Sequence, residues 1–378
     1  MVGGGDVGDD TGTVFPDTSG PGPVEPTPDD AGPGPDPSPT DTDLGPDIDP
    51  TDGGVTDAVD LDVGPEEVDT ADTGPGPDLG VADPFRNGSF LPANLTDTVP
   101  RSDSGTFPAQ IYLPGETSAA PFPVVIFNHG FQLEASNYPY IGRRMATHGF
   151  VVVMTTVGDG IFSARAHRRL ALDTSALIDW LEEQNADASA DLFGLLDLDR
   201  VGVSGHSRGG KVAILAATLD DRIQAVFTLD PVDTAGGPGS RPSADNPSVT
   251  PELMDGLTVP TGYVGAGRGA QARFPGAPPC APSDENYQEY FDESPSPAHL
   301  YRVVEGGHND FADPCTNFTV CNACAAGADE SYTREVAMGM MVAFFKLYLT
   351  EDERYALWVS GAELADRLSD DTLQYDER

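Results

Sequence analysis

From about residue 107 the chain alternates between short apolar runs rich in β-branched residues and longer segments of helical period. The runs 108–113, 123–128 (Pro-Val-Val-Ile-Phe-Asn), 150–155 (Phe-Val-Val-Val-Met-Thr), 200–204, 224–229, 259–264 and 299–304 predict strands. The segments 137–148, 166–184, 207–219, 284–292 and 332–350 predict helices, with a further helix over 352–369. In 166–184 the apolar residues Leu172, Leu177, Ile178 and Leu181 recur at helical spacing. Nearly continuous apolar strands separated by helices indicate a mainly parallel sheet with helices on both faces. The expectation is one α/β domain over 85–378, in which residues 85–106 wrap the sheet or open it.

No such pattern precedes it. Residues 1–84 hold 22 Asp and Glu, no Lys or Arg, 16 Gly, 15 Pro and a single aromatic, Phe15. Too little apolar surface exists there to offset the roughly 1–2 kcal/mol of backbone entropy that each ordered residue costs. The segment is expected to be a disordered, acidic, Pro/Gly-rich linker, extended by proline and by charge repulsion. Gly-Pro-Gly-Pro recurs at 20–23, 32–35 and 74–77 without a regular period. Asp41, Asp43, Asp47 and Asp49 lack the full spacing of a calcium loop and are read as solvated linker charge.

The whole chain has 378 residues and a formal net charge of −42. Phosphate contacts need basic clusters, so nucleic-acid binding is excluded and docking on an anionic bilayer is disfavoured. No run of 18 apolar residues is present to span a membrane as a helix. Met1-Val2-Gly3-Gly4-Gly5 has neither a basic nor an apolar stretch of a signal peptide. Charged Pro-rich spacers commonly follow export signals. We expect that a signal was removed, that a lipid-anchoring cysteine preceded the glycines, and that the protein is a bacterial exported, cell-surface or periplasmic monomer. The four cysteines agree with export. Cys280, Cys315, Cys321 and Cys324 are read as two disulfides of open connectivity, because Cys321-Asn-Ala-Cys324 lacks the second ligand pair of a zinc site.

The chemistry lies in Val201-Gly-Val-Ser-Gly-His-Ser-Arg-Gly-Gly-Lys211. Gly205-x-Ser207-x-Gly209 falls directly between a predicted strand and a predicted helix, the context of a nucleophile elbow. Such a turn is strained and crowded, which favours glycine on both sides. It lifts Ser207 to a helix N-terminus, whose dipole favours developing negative charge. The backbone N–H of Arg208 is then one oxyanion donor, and that of Phe131, after the strand ending at Asn128, is the second. Gly130 is expected to supply an unusual backbone angle there. His308 follows the last strand in Glu305-Gly-Gly-His-Asn-Asp310 and is the expected base. His129 and His206 are read as structural, and His148, His167 and His299 as surface or packing residues. The acid is Asp230, at the end of the strand 224–229, with Asp233 and Asp284 as alternatives.

At these residues the chain resembles the chlorophyllase branch of the α/β-hydrolases over about 107–350. Gly205-His-Ser-Arg-Gly-Gly-Lys211 matches that family's GHSRGGK run, Asp230-Pro-Val232 its DPV acid, and Pro278-Pro-Cys-Ala-Pro-Ser-Asp284 its PPCAPxD run. Gly307-His-Asn-Asp310 matches the GHxD histidine loop, and Val342-Ala-Phe-Phe-Lys346 the closing helix. The resemblance favours Asp230 as the acid. It implies cleavage of carboxylic esters through an acyl-serine, with no metal or organic cofactor, on a small-molecule or lipid-like ester. The acidic tail and the loop 313–330 depart from the family. The rival expectations are a lipase or a cutinase-like polyester hydrolase acting at an interface, acyl transfer, and a non-catalytic binding protein on the same fold. Phe131, Phe162, Phe274, Tyr287 and Tyr290 are candidates for an apolar pocket or for plain core.

Overall fold

Along each central strand, alternate side chains go to opposite faces of the sheet. Val124 and Ile126 join one apolar layer, and Val125 and Phe127 join the other. Val151 and Val153 oppose Val152 and Met154 in the same way. This period of two is what a strand covered on both sides requires. In the computed structural model, which describes residues 80, 82–160, 164–236 and 241–378, these strands belong to one nine-stranded sheet. Of the expected linker only residues 80 and 82–84 are described, and Phe162 lies outside the described residues.

The strands are β1 (Pro92–Pro100), β2 (Thr106–Pro114), β3 (Phe122–Asn128), β4 (Val151–Thr155), β5 (Leu196–His206), β6 (Ile223–Leu229), β7 (Thr261–Ala266), β8 (Ala298–Val303) and β9 (Leu373–Glu377). Their order is β1-β2-β4-β3-β5-β6-β7-β8-β9. The block from β4 to β8 is parallel. β1 and β2 at one edge and β9 at the other pair antiparallel. The expected α/β class, the α/β-hydrolase sheet and all seven expected strands are present, with small shifts at their ends.

The helices are α1 (Pro139–Thr147), α2 (His167–Ala186), α3 (Arg208–Ala217), α4 (Tyr287–Asp292), α5 (Phe318–Cys321), α6 (Glu330–Tyr348), α7 (Ala356–Val359) and α8 (Ala362–Arg367). Leu177 and Ile178 of α2 and Leu215 of α3 cover one face. Ile141 of α1 and Met340, Phe344 and Phe345 of α6 cover the other. Phe344 and Phe345 are fully buried, each worth about 1.5–3 kcal/mol of burial. The expected helix over 352–369 is instead broken into a short 3-10 turn (Glu353–Tyr355), α7 and α8. At the break, a Cβ on Gly361 would meet Leu357 Cα at 2.7 Å.

The expected opening by residues 85–106 takes the form of β1, an added edge strand. Residues 80 and 82 are tied to the segment before α7. Arg354 donates to the carbonyl of Gly80 and Tyr355 to that of Ala82. Phe85 is buried under the guanidinium of Arg367, 3.2 Å from its ring centre. No helix among the described residues is long and apolar enough to cross a membrane.

Candidate active site

All strands from β3 to β8 point their carboxyl ends to one edge of the sheet, where loops from β3, β5, β6, β7 and β8 meet. Ser207 follows β5 directly, with φ 57° and ψ −124°. A non-glycine residue in this left-handed region stores about 1–3 kcal/mol. Surrounding bonds hold it there. Its N–H donates to the carbonyl of Leu229 at 3.0 Å, and its own carbonyl accepts from Gly210 at 3.0 Å and Lys211 at 3.2 Å. As the first residue of α3, Arg208 has a backbone N–H with no partner inside the helix.

Ser207 Oγ lies 2.9 Å from His308 Nε2. His308 Nδ1 lies 2.6 Å from Asp230 Oδ2. The second carboxylate oxygen, Oδ1, accepts the Ala266 N–H at 3.0 Å. Asp230 itself has a φ of 42° and donates its N–H to Val264 at 2.7 Å. A carboxylate can only accept, so Nδ1 carries the imidazole proton and Nε2 presents a lone pair to the serine. Asp230 is wholly buried and His308 nearly so, while Ser207 is half-buried.

The alternative acids sit elsewhere. Asp233 pairs with the buried ammonium of Lys211 at 2.9 Å and accepts from Ser248, Val249 and Thr250. Asp284 is exposed. Of the three carboxylates, Asp230 alone bonds to His308.

The turn after β3 differs from expectation in one respect. Its left-handed residue is Gln132, with φ 57°, rather than Gly130. Gly130 serves close approach instead: a Cβ there would stand 3.1 Å from His206 Nδ1 and 3.2 Å from the Tyr138 hydroxyl. Phe131 lies beside the elbow, with the Arg208 guanidinium 5.4 Å from its ring centre.

Under this turn lies a buried ion pair that no motif marks. Arg208 Nη2 lies 2.6 Å from Asp159 Oδ2, and both side chains are almost completely buried. The same oxygen accepts the Gln132 N–H at 3.4 Å. Asp159 thus ties the Phe131–Gln132 turn to the first residue of α3. It sits in an irregular loop after β4, where no periodicity marks it.

The other histidines are locked. His129 Nε2 accepts the Val157 N–H at 2.9 Å, which leaves Nδ1–H to donate to the Gly130 carbonyl at 2.8 Å. Burial, then the nearby Arg208 charge, pushes its pKa down to about 4. His148, His167 and His299 are buried rather than at the surface, so they are packing residues. Tyr287 and Tyr290 are also buried core, whereas Phe274 is 61% exposed.

The four cysteines form Cys280–Cys324 and Cys315–Cys321, in line with the two disulfides expected. Both brace the loop after His308. Asn309 Nδ2 donates to the Val320 carbonyl at 2.7 Å. Asn317 Nδ2 donates to the Gln132 carbonyl at 3.0 Å, so this loop also touches the turn beside Phe131.

Known proteins carry related sequences. Chlorophyllase-2 of Arabidopsis thaliana is 29% identical over 261 residues, spanning 65% of this chain and 80% of that protein. A bis(hydroxyethyl) terephthalate hydrolase of Streptomyces coelicolor is 31% identical over 121 residues, 32% of this chain and 36% of that one. Cutinase est1 of Thermobifida alba is 23% identical over 261 residues, 69% and 71% of the two chains. A model of the chlorophyllase family matches residues 81–364, a span that ends inside α8. The chain belongs to the chlorophyllase family.

Proposed function

We propose that this chain hydrolyses carboxylic esters through an acyl-serine intermediate. The observation that carries the reading is the unbroken run of hydrogen bonds from Ser207 through His308 to Asp230, at 2.9 and 2.6 Å. Its relatives include proteins named as chlorophyllase, terephthalate-ester hydrolase and cutinase, which supports ester cleavage as the reaction class.

In this mechanism Ser207 Oγ attacks the ester carbonyl while His308 Nε2 takes its proton. The imidazolium is stabilised by the Asp230 carboxylate. The N–H groups of Phe131 and Arg208 hold the oxyanion, each worth about 10²–10³ in rate. His308 then protonates the departing alcohol. Water, deprotonated by the same nitrogen, attacks the acyl-serine, and collapse of that second intermediate releases the acid and restores Ser207. An acidic surface favours neutral esters over anionic ones. We further assign residues 85–378 as the catalytic domain and 1–84 as a spacer of an exported protein; the two disulfides support the oxidising compartment.

The test compares wild type with Ser207→Ala on a short p-nitrophenyl ester, a long-chain triglyceride, a chlorophyll and a polyester film. Wild type is expected to exceed Ser207→Ala by at least about 10³-fold on one or more of them. Equal rates on all four overturn the proposal.

A second reading concerns where the ester is met. Phe318 is 82% exposed and Phe274 61% exposed, on two loops joined by Cys280–Cys324. Rigid exposed aromatics at the rim of the site favour action on an aggregated ester over action on a dissolved one.

A further inference from the structure

Tyr138 and His206 stand outside the proton route just described, yet both are buried beside it, 0% and 1% exposed. The Tyr138 oxygen accepts the Gly130 N–H at 3.2 Å and lies 2.8 Å from His206 Nδ1. On the far side of the ring, His206 Nε2 lies 2.7 Å from the carbonyl oxygen of His308. That carbonyl can only accept, so Nε2 carries the proton of a neutral ring. Nδ1 is then the acceptor, and the Tyr138 hydroxyl donates to it. Every hydrogen bond in the series therefore has a fixed direction. The series begins at Gly130, next to Phe131, and ends on the backbone of His308.

The rings also pack. His206 lies 4.8 Å from His308, 5.4 Å from Phe311 and 5.9 Å from Tyr138 between ring centres. His206 is held rigidly in turn, as the residue before Ser207 at the end of β5. Burial, and then the neighbouring His308, pushes its pKa well down. A neutral His206 leaves His308 free to become a cation without a second positive charge 4.8 Å away.

We infer that Tyr138 and His206 are positioning residues: they set the Gly130–Phe131 turn and the His308 loop against the elbow, fixing the oxyanion donor relative to the base before substrate arrives. The inference rests on the serine-hydrolase reading above. Rates of this kind respond to displacements of about 1 Å, which can cost about 10²-fold. Binding contacts of the ester are untouched, so the effect falls on kcat and not on KM.

The experiment measures kcat and KM on a soluble short-chain p-nitrophenyl ester, normalised to the folded fraction seen by circular dichroism. The variants are Ser207→Ala, Tyr138→Phe, His206→Leu and His206→Gln. Tyr138→Phe removes one oxygen and adds no volume; both hydroxyl bonds are lost but the His206–His308 link stays, and we expect kcat to fall about tenfold with KM within about twofold. His206→Leu loses both bonds, with kcat down about 10²-fold. His206→Gln, whose amide N–H reaches toward the His308 carbonyl, recovers a large part of that loss. The inference is overturned if wild type far exceeds Ser207→Ala while Tyr138→Phe keeps kcat within about twofold of wild type per folded molecule. It is also overturned if the variants raise KM alone. If wild type is no faster than Ser207→Ala, the serine reading fails, and the inference with it.

Discussion

The carbonyl oxygen of Asn128 lies 2.0 Å from the point that a Cβ on Gly209 would occupy, and the carbonyl of His129 lies 2.7 Å from it. Both are backbone atoms at the end of β3 and cannot swing aside as a side chain would. The strand that leads to Phe131 thus passes directly over the first turn of α3. Gly209→Ala is expected to push that strand end and the elbow apart, with loss of about 10² or more in kcat/KM and a clear drop in Tm. Gly256→Ala is the control, since its Cβ would meet Thr218 Cβ at an ordinary 3.4 Å. A Gly209→Ala protein as active and stable as the control contradicts the crowded-elbow geometry.

The three candidate carboxylates should separate cleanly. Asp230→Asn offers the imidazole an amide in place of an obligate acceptor, which permits the wrong tautomer. By analogy with other triads, kcat should fall by about 10⁴ with the fold intact. Asp284→Asn should leave kcat unchanged, because Asp284 is exposed. Asp233→Asn leaves Lys211 buried without its partner, so it should cost stability, about 3–5 kcal/mol, before it costs chemistry. Urea unfolding and kcat on the three variants check the pattern.

Stability should fall on mild acidification. Five histidines are buried neutral by desolvation: His129, His148 and His299 with pKa values pushed to about 4, His167 to about 3, and His206 well down. Unfolded, each binds a proton near pH 6.5. Between 6.5 and 4 the unfolded chain therefore holds more protons, and stability decreases as pH falls. Each group contributes up to about 1.4 kcal/mol per pH unit over that window. The urea midpoint should be flat from pH 8 to 7 and decline steeply from 6 to 4. A constant midpoint down to pH 4.5 contradicts the neutral burial of these rings.

The two disulfides close loops of very different size, with sequence separations of 44 and 6 residues. Loop entropy gives about 4 kcal/mol for the first and about 2 kcal/mol for the second. Cys280→Ala/Cys324→Ala should therefore destabilise more than Cys315→Ala/Cys321→Ala. It should also loosen Asn309, whose amide donates to Cys324 Sγ at 3.1 Å. Unfolding midpoints that rank the other way refute the loop argument.

What the sequence revealed follows from what the chemistry constrains. Ser207, Asp230 and His308 are marked by short strings at strand ends, where glycine and proline leave a signature. The seven central strands are marked because both faces are buried. β1 and β9 carry no such mark: Pro92–Pro100 and Leu373–Glu377 are edge strands that expose most of their residues, so their composition is that of a loop. Asp159 and Tyr138 were illegible for a related reason. Each acts through a partner distant in sequence, Arg208 and His206 respectively; Asp159 lies in an irregular loop, and the helical period over 137–148 marks Tyr138 only as packing. At Gly130 the motif points to a backbone angle, whereas the structure needs glycine there for space.

On the second reading proposed above, the two exposed aromatics favour an assembled ester over a dissolved one. Phe318 opens α5 within the Cys315–Cys321 loop, and Phe274 lies on the segment that Cys280–Cys324 ties to it. Arg273 donates to Asn322 at 3.5 Å, and Asn322 donates to the Phe318 carbonyl at 2.8 Å, so the two segments meet next to both rings. Asn317 donates to the Gln132 carbonyl, which places this pair of segments against the turn beside Phe131. Burying both rings in an ester phase would add about 3–6 kcal/mol of adsorption. Phe274→Ser/Phe318→Ser should therefore lower the rate on a polyester film or emulsified triglyceride at least about tenfold at subsaturating enzyme. The same variant should keep kcat on a soluble p-nitrophenyl ester within about twofold, because neither ring touches the Ser207–His308–Asp230 run. Film release and adsorption isotherms for the two proteins provide the measurement. Equal loss on soluble and assembled esters would place the rings in the acyl pocket itself, and no loss on either would leave the rim without a part in substrate capture.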